Sequence, residues 1–245
     1  MSRPKAALLR RELLKIDGRA VEVSLRLNPR ARRVIVKVHP NTGEVTVTAP
    51  TRTGITHALD FARTEKDWIA RQIACVPQRV ALAPGSAIPF RGVSHRIRHN
   101  DAGALPVWRD ENAREICVRG RAEHAGRRLL DFLKAEARKT FEVRALEFAE
   151  RLGVKPARIA VRDTASRWGS CSAARSLSFS WRLILAPDFV LDYVVAHEIA
   201  HLRHMNHGPR FWALVREFMD DVEKPQAWLS KNGPLLHRYA PQRSE

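Results

Sequence analysis

Long apolar runs are missing from this chain of 245 residues; no purely apolar stretch exceeds about five residues, against the roughly 20 needed to cross a bilayer. No membrane-spanning helix is therefore expected. Cysteine is scarce. Cys75, Cys117 and Cys171 are odd in number and show no CxxC spacing, which excludes a disulfide framework and points to a reducing compartment. The N-terminal MSRPKAALLRRELLK offers only Ala6 to Leu9 as an apolar core, too short for a secretory signal. A cytoplasmic, soluble protein is the expectation. Acidic residues are also few, 26 against 43 Lys and Arg, for a formal charge of +17. The 44% hydrophobic and 28% charged content excludes wholesale disorder and fits a globular chain.

The positive charge is unevenly placed. Residues 1 to 53 carry twelve Lys/Arg against four Asp/Glu, whereas residues 190 to 245 carry seven of each. Such asymmetry raises an anionic partner for the front of the chain, nucleic acid being the usual one. No dense basic run or nucleic-acid motif accompanies it.

Hydrophobic periodicity divides the chain. Val21, Val23, Leu25 and Leu27 alternate with polar residues, as do Val34, Val36 and Val38 and then Val45 and Val47 across an Asn41-Thr42-Gly43 turn; an antiparallel meander fits. Ile55, Leu59, Ala62, Ile69 and Ile73 predict one helix. A strand pair is expected around Ile88 to Ile97, and a connection at Gly103 to Pro106. Residues 127 to 152 lack Gly and Pro and predict a long helix stopped by Gly153. A short strand at Ile159 to Val161 follows, then a strand from Leu177 to Leu185, a helix from Phe189 to His204 and another from Pro209 to Asp221. The fold class is α+β, with a β-rich N-terminal subdomain carrying one helix over 1–105 and a second domain over 106–245.

The helix after the 177–185 strand contains His197-Glu198-Ile199-Ala200-His201. Histidines four apart share one helical face, so both imidazoles reach one metal ion. Glu198 is rotated by about 100° and stands beside the ion, where the general base for a metal-activated water belongs. His204 continues the stripe but sits about 10.5 Å along the axis from His197, too far to close a tetrahedral face. His207 follows Met205-Asn206, and Asn tolerates the left-handed conformation that ends helices, so the chain can return His207 to the ion. His197, His201 and His207 are the expected ligands, leaving one position for water as catalytic zinc sites do.

Arg167-Trp168-Gly169-Ser170-Cys171-Ser172, then Ser180-Trp181-Arg182-Leu183, Tyr193 through Leu202, Asn206-His207-Gly208 and Phe211-Trp212 resemble the YgjP-like metallopeptidase family, which is similar to the SprT-like zinc proteases. The resemblance implies a zincin-like metalloprotease domain with His197, His201 and His207 as zinc (Zn2+) ligands and Glu198 as catalytic base. It also implies that the RWGSCS segment lines the cleft. Family members usually carry Ser after the NH pair; Gly208 here is small enough to keep the turn.

Zinc-dependent hydrolysis of a peptide or protein substrate is the leading expectation, the substrate pairing with an edge strand near Trp168 to Cys171 or Ser178 to Arg182. Trp168 and Trp181 are expected in the core, and Cys171 as a small buried thiol. Tyr193, His237 and Tyr239 are candidate oxyanion partners. Asp192, Glu217, Asp220 and Asp221 are candidates to orient the histidines. Two other classes compete. One is a nucleic-acid-associated zinc protein acting on DNA- or RNA-bound proteins through its basic N-terminal part, and the other a non-catalytic zinc scaffold.

Overall fold

A computed structural model describes residues 7–103, 105–164 and 167–241. It is a mixed α/β structure, with six α-helices and several small sheets among the described residues. None of these helices is long and apolar enough to cross a membrane. The chain forms two compact units, Met1–Pro77 and Gln78–Glu245.

In the first unit, β1 (Ala7–Ile16) and β2 (Arg19–Leu27) form an antiparallel hairpin. Its turn holds Asp17 at φ 46° and Gly18 at φ 75°, the Asp-Gly signature of a tight hairpin. β3 (Ile35–Val38) and β4 (Val45–Ala49) complete the order β1-β2-β4-β3. The expected meander is corrected in one respect: β2 and β4 run parallel, Val23 opposite Val45, because β4 inserts between β2 and β3. The alternation itself holds, since Val23, Leu25, Val45 and Val47 are buried. They face α1 (Ile55–Thr64) and α2 (Lys66–Ala74), two helices where the periodicity predicts one. The break falls at Glu65, whose N–H bonds to the Phe61 carbonyl; Ala58, Leu59, Ala62 and Ile69 still share one core.

In the second unit, β5 (Val80–Ala81) pairs with β13 (Tyr239–Ala240) near the end of the chain. β6 (Ala87–Phe90), β7 (Val93–His99), β8 (Val107–Asp110) and β9 (Glu115–Val118) form a sheet of order β6-β7-β9-β8. The boundary expected near residue 105 lies inside this sheet, since β7 pairs with β9 across it, Arg96 opposite Glu115. The long helix is present as α3 (Ala125–Arg151), with Leu129, Leu133, Ala137, Phe141, Ala145 and Phe148 on its buried face. Gly153, at φ 63°, ends it as expected.

A three-stranded sheet follows, β10 (Arg158–Arg162), β11 (Gly169–Cys171) and β12 (Ser176–Ser180), in the order β10-β12-β11. The strand expected to reach Leu185 stops at Ser180. Residues Trp181–Leu185 form a 3-10 turn in which all five side chains are buried, so polar alternation no longer reports a half-exposed strand. α4 (Asp188–Ala200) comes next and is apolar almost all round: Val190, Leu191, Val194, Val195, Ala196, Ile199 and Ala200 are buried. Such a helix belongs inside a core. It packs beside α3, where Phe141 stacks on Phe179 of β12 at 4.8 Å. α5 (Pro209–Phe218) begins with Pro at its first turn. α6 (Glu223–Leu236) was not expected, because Pro225, Gly233 and Pro234 mask its period.

Candidate metal centre

α4 is fixed at both ends before it presents its histidines. At its start, the Arg91 guanidinium donates twice to Asp188, at 2.5 and 2.7 Å. At its end, the helix closes by tighter bonds, Leu202 N–H to the Ile199 carbonyl and Arg203 N–H to the Ala200 carbonyl. The helix therefore stops at Ala200 and not at His204. The shortening frees residues 202–208 to turn back, and α5 starts immediately after Gly208.

That reversal brings His207 onto the helical pair. The ring nitrogens of His197, His201 and His207 all lie within 4.8 Å of one another, and the Nε2 atoms of His197 and His207 are 3.1 Å apart. Two nitrogens on one tetrahedral zinc, each at about 2.05 Å, would be ~3.3 Å apart. His201 Nδ1 lies 3.0 Å from the His204 carbonyl oxygen; a carbonyl only accepts, so Nδ1 donates and Nε2 keeps its lone pair. His204 contributes its backbone and not its ring. Phe211, fully buried, lies under all three imidazoles, with centroids at 4.9, 4.5 and 4.8 Å from His197, His201 and His207.

The electrostatics suit a cation. Burial, then the neighbouring His201 and His207, lowers the His197 pKa to about 4, and burial likewise lowers that of His201. Both are held neutral, the form that binds metal. The Glu198 side chain is 5% exposed and its Oε2 is buried without a partner. Burial raises its pKa to about 7, with Arg167 pulling the other way. A buried carboxyl group with an unpaired oxygen next to three converging imidazoles is a donor set that fits a divalent ion.

The family described as YgjP-like, metallopeptidase domain, matches residues 32–232. The chain belongs to that family. The family is one of metallopeptidases, and this member brings three histidine ring nitrogens within 4.8 Å of one another, a group that could hold a metal ion. A solved structure, the metallopeptidase zymogen of Pyrococcus abyssi abylysin, is similar over 41% of this chain and 98% of that one, at 17% identity and a TM-score of 0.35. No curated protein matches. The comparisons do not support the nucleic-acid partner that the charge raised as an alternative.

Several expected roles fall elsewhere in this family member. Asp192 pairs with Arg144 at 3.2 Å, and Asp221 accepts from the N–H groups of Glu223 and Lys224 at the start of α6. Among the described residues neither carboxylate meets a histidine; the backbone of His204 orients His201 instead. Tyr193 is the oxyanion candidate that touches the triad, its ring 5.9 Å from His197 and its hydroxyl accepting from Gln226 at 2.8 Å. His237 stacks near Trp168 at 5.2 Å. Trp181 is 1% exposed, as expected of the core, while Trp168 is half-buried. Cys171 is half-buried, and burial raises its pKa. A Cβ at Gly208 would meet nothing within 4 Å, so the usual Ser of the family would fit. Sequence reasoning missed Gly169, where a Cβ would stand 2.5 Å from Glu198 Oε1. Beyond its place in the RWGSCS segment that the resemblance set along the cleft, its signal was a glycine within a short strand, which marks close backbone approach.

Proposed function

We propose that this protein is a zinc-dependent metallopeptidase of zincin-like architecture, with His197, His201 and His207 as ligands and Glu198 as general base. The observation that carries the reading is the convergence of three ring nitrogens within 4.8 Å beside a buried carboxylate with an unpaired oxygen. Zinc, when bound, supplies Lewis acidity that polarises a scissile carbonyl and acidifies water. Glu198 accepts the proton of the attacking water and later returns it to the leaving amine. A base with a pKa near 7 is matched to that work at neutral pH. Phe211 packs against the rear of the imidazoles and keeps water from that side. β11 is an edge strand in the order β10-β12-β11, and Gly169 brings its backbone against Glu198. An extended substrate that pairs with the free edge of β11 thereby places its main chain across the site. The machinery lies within the second unit.

The test joins metal analysis to a peptide-library digest, with wild type and Glu198→Gln side by side. One zinc per chain in both proteins, with turnover reduced by about 10²–10⁴ in the variant, is the expected outcome. Undiminished cleavage by the variant would sink the assignment. Absence of any cleavage by the zinc-loaded wild type would favour a zinc scaffold.

A further inference from the structure

The three-stranded sheet has two unlike faces. Ile159, Val161, Leu177 and Phe179 point into the core. The alternate residues point the other way, and the register sets them in rows: Arg158 beside Ser176, and Ala160 beside Ser178 beside Ser170. This outer face forms an open basin of about 490 Å³, within the range of specific ligand sites. Its floor is small and hydroxylated. Its rim carries Arg158, Arg162 and Arg167, and among the described residues no acidic side chain lines it. Among the described residues none of these three guanidiniums has a hydrogen-bonded carboxylate, whereas the neighbouring Asp163 is taken by Arg182 at 2.9 Å. Arg167 acts electrostatically on Glu198, while Arg158 and Arg162 have no ion pair among the described residues. Guanidiniums around serine hydroxyls are complementary to an anion, and carboxylates are bound best by such forked donors.

The basin and the carboxyl of Glu198 lie on opposite faces of β11: the Cβ direction of Gly169 points at Glu198, while Gly169 and its neighbour Ser170 also line the basin. A substrate strand on the free edge of β11 sends alternate side chains to the two faces of the sheet. One set points toward α4 and the other over the basin. Strands ~4.8 Å apart set the β10 arginines three strand spacings, about 14 Å, from a substrate strand on that edge. That gap is near the combined reach of an extended arginine and an incoming Glu side chain, while Arg167 stands next to β11 itself. Among the described residues no aromatic ring lines the basin, so they offer no platform for stacking bases.

We infer that this face is a specificity subsite selecting acidic side chains, Asp or Glu, in the segment flanking the scissile bond, with Arg158, Arg162 and Arg167 as its determinants. The inference rests on the reading of β11 as the wall of a peptidase cleft. The two are tested separately. Zinc-loaded protein is given paired peptides that differ only in Glu or Gln within three residues of the cleaved bond. The wild type is expected to favour the Glu peptide at least ten-fold in kcat/KM, chiefly through KM. Arg158→Gln/Arg162→Gln is expected to lose that preference while cleaving the Gln peptide at the wild-type rate. An equal Glu-to-Gln ratio in the two proteins overturns the subsite and leaves the peptidase standing. Binding is read independently of turnover by fluorescence anisotropy of a labelled Glu-rich peptide on the Glu198→Gln protein. Adding Arg158→Gln/Arg162→Gln should weaken it at least ten-fold, whereas Arg19→Gln/Arg26→Gln, the same charge loss on exposed positions of β2, should not. Equal weakening by both pairs, or stronger binding of duplex DNA that depends on Arg158 and Arg162, overturns the inference.

Discussion

Gly169 sets how closely β11 approaches the base. With a Cβ 2.5 Å from Oε1 and 2.6 Å from Cγ of Glu198, Gly169→Ala forces either the strand or the carboxylate to move. A shift of about 1 Å in a reacting group costs on the order of 10² in rate. Gly169→Ala is therefore expected to lower kcat/KM about a hundred-fold while zinc content, read by atomic absorption, stays near one per chain. A variant that keeps wild-type kcat/KM would show that Glu198 is not held by this contact. Titration supplies a second prediction. In zinc-stripped protein Glu198, with a folded pKa of about 7 against 4.5, holds a proton that the unfolded chain loses. Its stabilisation is present below pH 4.5 and is lost as the pH rises to about 7. His197, lowered from 6.5 to about 4, acts oppositely and costs stability as the pH falls below 6.5. The two offset each other in wild type between about pH 4.5 and 6.5. In stripped Glu198→Gln only the histidine remains, so its Tm minus that of wild type should widen from about pH 4.5 to 7 and then level. A gap that stays constant across that range would contradict the burial of this carboxyl.

At the scale of elements, the site depends on where α4 stops and α5 starts. The ring of Phe211, from the first turn of α5, contacts all three imidazoles, so α5 positions the site although its own residues are not among the ligands. Phe211→Ala is expected to weaken zinc affinity about 10–100-fold, the range seen when groups supporting metal ligands are lost; competition with a chromogenic chelator measures it. Unchanged affinity would show that the loop of residues 202–208 holds His207 unaided. The HExxH pair was legible in sequence because helical spacing is local. The return of His207 was expected from a left-handed Asn206, but Asn206 is not among the residues with positive φ, and the helix ends instead through the tighter bonds of Leu202 and Arg203. The oriented tautomer of His201 was not legible, since it depends on the carbonyl of His204 lying where the helix unwinds. α6 was hidden for a related reason: Pro225 and Pro234 break the pattern in sequence, yet Pro225 sits in the first turn, where no N–H is needed.

At the scale of the whole molecule, two separate cores divide the stability. Leu25 and its partners in the first unit share no buried residue with the cluster that surrounds α4. Leu25→Ala should cost about 2–5 kcal/mol in the first unit. Calorimetry should show one transition lowered, while zinc stoichiometry and peptidase rate at 25 °C remain those of wild type. Loss of zinc in this variant would join the two units energetically. The charge of +17, uneven along the chain, receives a specific site in the outer face of the three-stranded sheet, within the second unit and not in the basic N-terminal part.

By itself the sequence pointed to the class of chemistry and to its candidate reagents, a helical histidine pair, a glutamate next to it and a third histidine six residues on. It also marked alternating strands such as those of Val23, Leu25, Val45 and Val47, whose faces are buried. These follow from local geometry, the 3.6-residue turn and the two-residue pleat. Tertiary structure alone decided the parallel pairing of β2 with β4, the sheet that runs through residue 105, the approach of Gly169 to Glu198 and the burial that brings that carboxyl to a pKa of about 7. Each of these joins residues distant in the chain, and desolvation depends on what packs around a group, which periodicity along one segment does not record.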